Sequence, residues 1–67
     1  MDKSLNAISK YPIVYERAED GGWGAYVPAL PGLGIIAESF DEANRLIGEG
    51  IDLHIAGLRQ DGLPIPA

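Results

Sequence analysis

Cysteine is absent from this 67-residue chain. Its absence excludes disulfides, thiolate metal sites and cysteine nucleophiles together. Histidine occurs once, at His54, so a zinc site would have to be built almost wholly from carboxylates, which is rare. Basic residues are also scarce: five Lys and Arg stand against ten Asp and Glu, for a formal charge of −5. Phosphate backbones and anionic membranes are bound by Lys and Arg that displace counterions, so neither direct nucleic-acid binding nor membrane contact is expected. A basic protein is the better electrostatic match. No apolar run approaches the ~18 to 20 residues that span a bilayer, and Met1–Lys10 holds no signal-peptide core, which makes the cytoplasm the expected location. Ordering so short a chain costs roughly 1.5 kcal/mol per residue, close to what apolar burial returns. With disulfides and structural metals excluded, self-association into a dimer or tetramer is the expected supplement.

The pattern that is present is α+β: a three-stranded antiparallel sheet followed by one long helix, with room for a short fourth strand. Residues 1–10 are polar, with Leu5 and Ile8 as their main apolar groups, and read as an N-terminal arm; residues 11–67 form a single domain. Tyr11 to Ala18 is rich in residues of high β preference and opens on Pro12, which a strand start or edge tolerates. Glu19-Asp20-Gly21-Gly22 supplies a hairpin turn, and Trp23 to Ala29 returns as the second strand. A three-residue loop, Asp20 to Gly22, would set Tyr15 opposite Val27, Arg17 opposite Ala25 and Ile13 opposite Ala29. Ile13, Tyr15, Ala25 and Val27 then share the core face. Val14 and Tyr26 fall together on the other face. Pro28-Ala29-Leu30-Pro31-Gly32 is a rigid turn, and Leu33 to Glu38 reads as a third, short strand.

Ser39-Phe40-Asp41-Glu42 has the spacing of a capping box, with Ser39 accepting from the amide of residue 42 and Glu42 reaching back to that of Ser39. Gly62 suits the left-handed position after a helix, Leu63 can close a Schellman motif with Leu58, and Pro64 forbids continuation. The helix therefore runs from about Phe40 to Gln60. Ala43, Leu46, Ile47, Gly50, Ile51, His54, Gly57 and Leu58 fall on one side. Asp41, Arg45, Asp52 and Arg59 fall on the other, with Asp41 and Arg45 spaced for an ion pair. Leu53 and Ile55 widen the apolar stripe to about 200°, where roughly 100° would cover one sheet face. Gly50 and Gly57 each cost about 1 kcal/mol in a helix interior, so both suggest close approach to a neighbouring backbone. Leu53, His54 and Ile55 on the helix, with Val14 on the sheet, are therefore the expected oligomer contacts.

No catalytic constellation emerges. His54 has no carboxylate, Ser or second ligand at helical spacing and reads as a core or interface residue. Glu16 and Glu38 lie near strands, but the other carboxylates sit in the turn or on the wet side of the helix. Gly32-Leu33-Gly34 precedes a strand and lacks the lysine of a phosphate loop. Ser4, Ser9 and Ser39 have no triad context. Tyr11, Tyr15, Trp23 and Tyr26 could stack bases only with more basic residues nearby. The residues therefore suggest neither an enzyme nor a cofactor. Mg²⁺- or Mn²⁺-dependent RNA cleavage, lost on Glu16→Ala, is the result that would revive a nuclease reading.

The order of these parts resembles a known family. Tyr11-Pro12-Ile13-Val14-Tyr15-Glu16, an acidic Gly turn, Trp23 and Val27-Pro28-Ala29-Leu30-Pro31-Gly32 come first. A Ser-x-Asp-Glu-Ala helix start, His54-Ile55-Ala56-Gly57-Leu58 and Asp61-Gly62-Leu63-Pro64-Ile65-Pro66 follow. Together they are similar to the HicB antitoxins of bacterial HicA–HicB toxin–antitoxin systems, over about Tyr11 to Pro66. The resemblance implies a partial ribonuclease-H-like module that neutralises a small basic mRNA-cleaving toxin by covering its active site. Leu33 stands where the family often has Cys, and Ile36 to Ser39 lacks the usual Gly-Asp/Asn-Thr helix entry. Many members also carry a C-terminal helix-turn-helix or ribbon-helix-helix, which is not found in this sequence. Partner contacts are expected at Glu16, Glu19, Asp20, Trp23 and Tyr26. The rival expectation is an orphan module that associates only with itself or binds a small ligand between protomers.

Overall fold

The structure is a computed structural model that describes residues 11–66; the N-terminal arm, residues 1–10, lies outside the described residues. Strands β1 (Val14–Arg17), β2 (Trp23–Tyr26) and β3 (Gly34–Ala37) precede one helix, α1 (Phe40–Gln60). The strands form an antiparallel sheet in the order β1-β2-β3, so β1 and β3 are both edges. This is the α+β architecture that the hydrophobic patterning predicts. Each strand is shorter than its β-favouring stretch because turns claim the flanks. Leu30 N–H donates to the Val27 carbonyl at 2.9 Å and Leu33 N–H to the Leu30 carbonyl at 3.1 Å, so two consecutive turns begin where β2 ends. Pro31 and Gly32, the latter at φ 91°, occupy the middle of the second. No fourth strand forms among the described residues, and residues 63–66 join no ladder.

The hairpin corrects one expectation. The loop has three residues, but they are Glu19, Asp20 and Gly21 rather than Asp20 to Gly22. Gly21 N–H donates to the Ala18 carbonyl at 3.0 Å, and Ala18 N–H to the Gly22 carbonyl at 2.8 Å. Gly21, at φ 92°, takes the left-handed position, and the Asp20 carboxylate accepts from Gly22 N–H at 2.9 Å. Moving the loop by one residue shifts the pairing by two, so Tyr15 lies opposite Ala25 and Arg17 opposite Trp23. A shift of two preserves the faces. Ile13, Tyr15, Ala25 and Val27 still point toward the helix, and Val14 and Tyr26 away from it.

The ends of α1 follow from local chemistry. Ser39 Oγ accepts from Glu42 N–H at 3.1 Å, while the Glu42 carboxylate accepts from Glu38 N–H at 2.9 Å, one residue earlier than the capping-box spacing predicts. At the other end Gly62, at φ 71°, donates to Arg59, and Leu63 N–H donates to the Leu58 carbonyl, which completes a Schellman motif. Arg45 pairs with Glu49 at 3.4 Å, rather than with Asp41 as the spacing suggests. Both side chains are more than half exposed, so the pair adds little stability.

The core lies between α1 and the inner face of the sheet. Leu30, Ile47 and Val27 are its largest fully buried side chains, joined by Tyr11 and Ala25. Tyr11 Oη donates to the Pro66 carbonyl at 2.6 Å, which ties the start of the domain to its tail. Ile51, Ile55 and Leu33 pack on the rim of this cluster. α1 is about 31 Å long, whereas a four-residue strand spans about 13 Å, so the sheet covers only part of it. Its two buried residues, Ala43 and Ile47, both lie in its first half.

The helix glycines differ in what surrounds them. A Cβ on Gly50 would lie 2.9 Å from Leu33 Cδ1, so α1 approaches a side chain there rather than the expected backbone. Gly57 and Gly48 have nothing within 4 Å of an added Cβ. Gly48→Ala is therefore expected to stabilise the fold by up to about 1 kcal/mol. For Gly50→Ala, displacement of Leu33 offsets the same gain and the net effect is near zero. Paired urea melts of the two variants measure that contrast.

Candidate partner-binding surface

The sheet presents two unlike faces. Toward α1 it carries the core. Away from it, the register brings together Val14, Glu16, Gly24, Tyr26, Gly34 and Ile36. Glu16 and Ile36 stand on either side of Gly24, and Tyr26 stands between Val14 and Gly34. Gly24 on the central strand and Gly34 on the edge strand carry no side chains, and the result is an open groove lined by Glu16, Gly24, Tyr26, Gly34 and Ile36. Its apolar walls are unusually exposed: Ile36 is 87% accessible and Tyr26 41%. β3 forms one border and carries no charge and no proline in Gly34–Ala37. Charges and prolines are the usual guards of a free strand edge, so this border is open to contact.

The sequence-predicted partner contacts divide between two places. Glu16 and Tyr26 lie in the groove, and Glu19 and Asp20 are exposed in the hairpin turn at the end of the same sheet. Trp23 stands apart from them, because residues 23 and 26 point to opposite faces of one strand. On the helix side its ring meets Phe40 edge-on at 5.3 Å, and the Arg17 guanidinium lies 5.7 Å from its centroid. Phe40 also contacts Tyr15, with ring centroids 4.7 Å apart. Tyr15 Oη donates to Asn44 Oδ1 at 2.6 Å. This aromatic cluster fastens the start of α1 to the hairpin. Of the expected oligomer residues, Leu53 is exposed, His54 and Ile55 are half-buried, and Ile55 packs on the core. Val14 lies across the sheet from all three. Ile36 was not singled out from the sequence, although the alternation of Ile35 and Ile36 in a short strand requires one of the two to face outward.

Burial raises the pKa of Tyr15 above the ordinary tyrosine value. A proton held more tightly in the folded state contributes stability that is complete below the unfolded pKa, about 10, and is lost as the pH rises through the folded value. Wild type is thus expected to lose more stability than Tyr15→Phe between neutral and strongly alkaline pH. Urea midpoints of the two proteins across that range measure the difference; parallel curves would remove Tyr15 from the account.

Among the described residues no group of three or more His, Asp or Glu is placed to hold a metal ion, and no helix is long and apolar enough to cross a membrane. Comparison with known proteins extends the geometry. Residues 11–67 match the family described as the HicB-like antitoxin of bacterial toxin–antitoxin systems. A UPF0150 protein of Synechocystis is 36% identical over 59 residues, covering 88% of this chain and 75% of the relative. A UPF0150 protein of Archaeoglobus fulgidus is 41% identical over 46 residues, covering 69% and 67% respectively. No solved structure gives a significant match. A family match across the whole described domain decides membership: the chain belongs to the HicB-like antitoxin family.

Proposed function

We propose that this chain neutralises a small basic, mRNA-cleaving toxin of the HicA type in the cytoplasm by laying the outer face of its sheet over the toxin's active site. The observation that carries the reading is the groove: exposed Ile36 and Tyr26 beside Glu16, with acidic Glu19 and Asp20 at the adjoining turn. Apolar and aromatic anchors in a depression supply most of the binding energy of an interface. Carboxylates at the rim attract a basic surface and speed the encounter. A toxin surface built to hold RNA phosphates is basic, so an acidic rim competes for the same ground. The reading needs no reaction on the antitoxin's side.

The competing reading is an orphan module that binds only itself, favoured by the exposure of Leu53 on α1. Co-expression of this chain with the small basic reading frame beside its gene separates the two. Capture of that frame's product as a salt-sensitive complex supports the antitoxin reading. Failure of the two folded proteins to associate at any salt concentration leaves the orphan module as the better account.

A further inference from the structure

We infer, resting on the antitoxin reading above, that the groove takes a single arginine side chain of the toxin over Gly24, with its guanidinium on the Glu16 carboxylate. The slot is one strand wide. Glu16 on β1 and Ile36 on β3 stand on either side of Gly24, which offers only backbone between them. At ordinary strand spacing the Cα atoms of those two walls are about 10 Å apart. Tyr26, two residues along β2 on the same face, closes one end.

Glu16 decides the occupant. It is the one charge on this face of the strands, and among the described residues it has no hydrogen-bond or ion-pair partner. The described arginines are turned elsewhere. Arg17 points to the other face, 5.7 Å from the centroid of the Trp23 ring, and Arg45 and Arg59 belong to α1, beyond the sheet. A partner that covers the face strips water from the Glu16 carboxylate, and a carboxylate buried without a counter-charge is strongly unfavourable. The partner must therefore bring a cation to this point. Arginine fits better than lysine. Its planar fork meets a carboxylate through two parallel hydrogen bonds, and it is less strongly hydrated than an ammonium. Its apolar stem matches Ile36, and the Tyr26 ring offers a face to the guanidinium.

Gly24 supplies a probe that spares the fold. A Cβ there would lie 3.6 Å from the Ile35 carbonyl oxygen, an ordinary contact, and the backbone at Gly24 is not left-handed. Valine also suits a strand better than glycine does. Gly24→Val should therefore melt no lower than wild type while it fills the slot. Titration calorimetry of the full chain against the small basic protein encoded beside its gene tests the inference, with wild type, Gly24→Val, Glu16→Gln and the double variant. Single Arg→Lys variants of that basic protein are titrated against wild type and Glu16→Gln. Gly24→Val and Glu16→Gln are each expected to weaken binding by at least about tenfold. The double variant should bind about as weakly as the weaker single one, because both changes remove one insertion. One arginine of the partner, changed to lysine, should lose affinity for wild type and much less for Glu16→Gln. Wild-type affinity in Gly24→Val, additive losses in the double variant, or no arginine coupled to Glu16 overturns the inference and leaves the antitoxin reading standing. Absence of binding by wild type removes both together.

Discussion

Leu30→Ala is expected to leave most of the molecules unfolded at room temperature. Leu30 has no accessible surface and contacts the cluster of Tyr11, Ala25, Val27 and Ile47. Its position is fixed on both sides, because it donates to Val27 and accepts from Leu33 in successive turns. The surroundings therefore cannot collapse easily into the space it leaves. Truncating a leucine in such a setting costs about 2 to 5 kcal/mol. At roughly 0.05 to 0.15 kcal/mol of stability per residue the chain would have about 3 to 10 kcal/mol in all, and a domain this small is expected near the lower end. The loss is comparable with the whole. Leu53→Ala removes the same atoms from a surface site and is expected to cost under about 1 kcal/mol in a dilute, monomeric sample. Far-UV circular dichroism and urea melts of the two variants give the comparison directly. A folded Leu30→Ala protein with a near wild-type midpoint would mean that the core is not where the packing places it.

Replacing Tyr26 and Ile36 together by aspartate is the second large effect, on binding rather than folding. Both side chains project from the outer face and neither belongs to the buried cluster, so the variant should fold with a midpoint close to wild type. As anchors in a groove, the two residues should contribute at least about 2 kcal/mol each to association with the toxin, and the variant is expected to bind at least about a thousandfold more weakly. Reversing a hairpin charge that makes no turn contact, Glu19→Lys, should act differently. Rim charges mainly set the association rate and its salt dependence, so the loss should be largest at low salt and shrink as salt is added. Titration of labelled toxin at two ionic strengths distinguishes the contributions. Equal losses at both salts from the charge reversal would place Glu19 inside the interface rather than at its edge.

Much of this architecture is legible in the sequence, for reasons that can be traced to particular residues. The helix was readable because its ends are written in side chains: Ser39 and Glu42 at the start, Gly62 and Pro64 at the stop. The face assignment of the hairpin was readable because alternation is robust to an even shift. The pairing itself was not. Gly21 and Gly22 are adjacent and both accept a left-handed backbone, so composition cannot tell which one closes the loop; the Asp20 carboxylate decides it by accepting from Gly22. Leu30 reads as turn because two prolines and a glycine surround it, yet the same turns drive its side chain into the core. The surface was harder still. Trp23 and Tyr26 both look like contact residues from composition, but the pleat puts them on opposite faces, and Phe40 claims the tryptophan. Ile36 gains its meaning from Gly24 on the neighbouring strand and from Gly34 two residues earlier on its own, and the pairing of Ile36 with Gly24 is a juxtaposition that only the observed register creates.

Growth rescue tests the central claim most directly. The neighbouring small basic protein is induced in cells together with wild-type chain, with the Tyr26→Asp, Ile36→Asp double variant, or with no partner, and soluble levels of each are checked. The account predicts arrest without a partner, restored growth with wild type, and arrest again with a double variant that is folded and equally abundant. Full rescue by that variant would contradict the account, because neutralisation would then not pass through the outer face of the sheet.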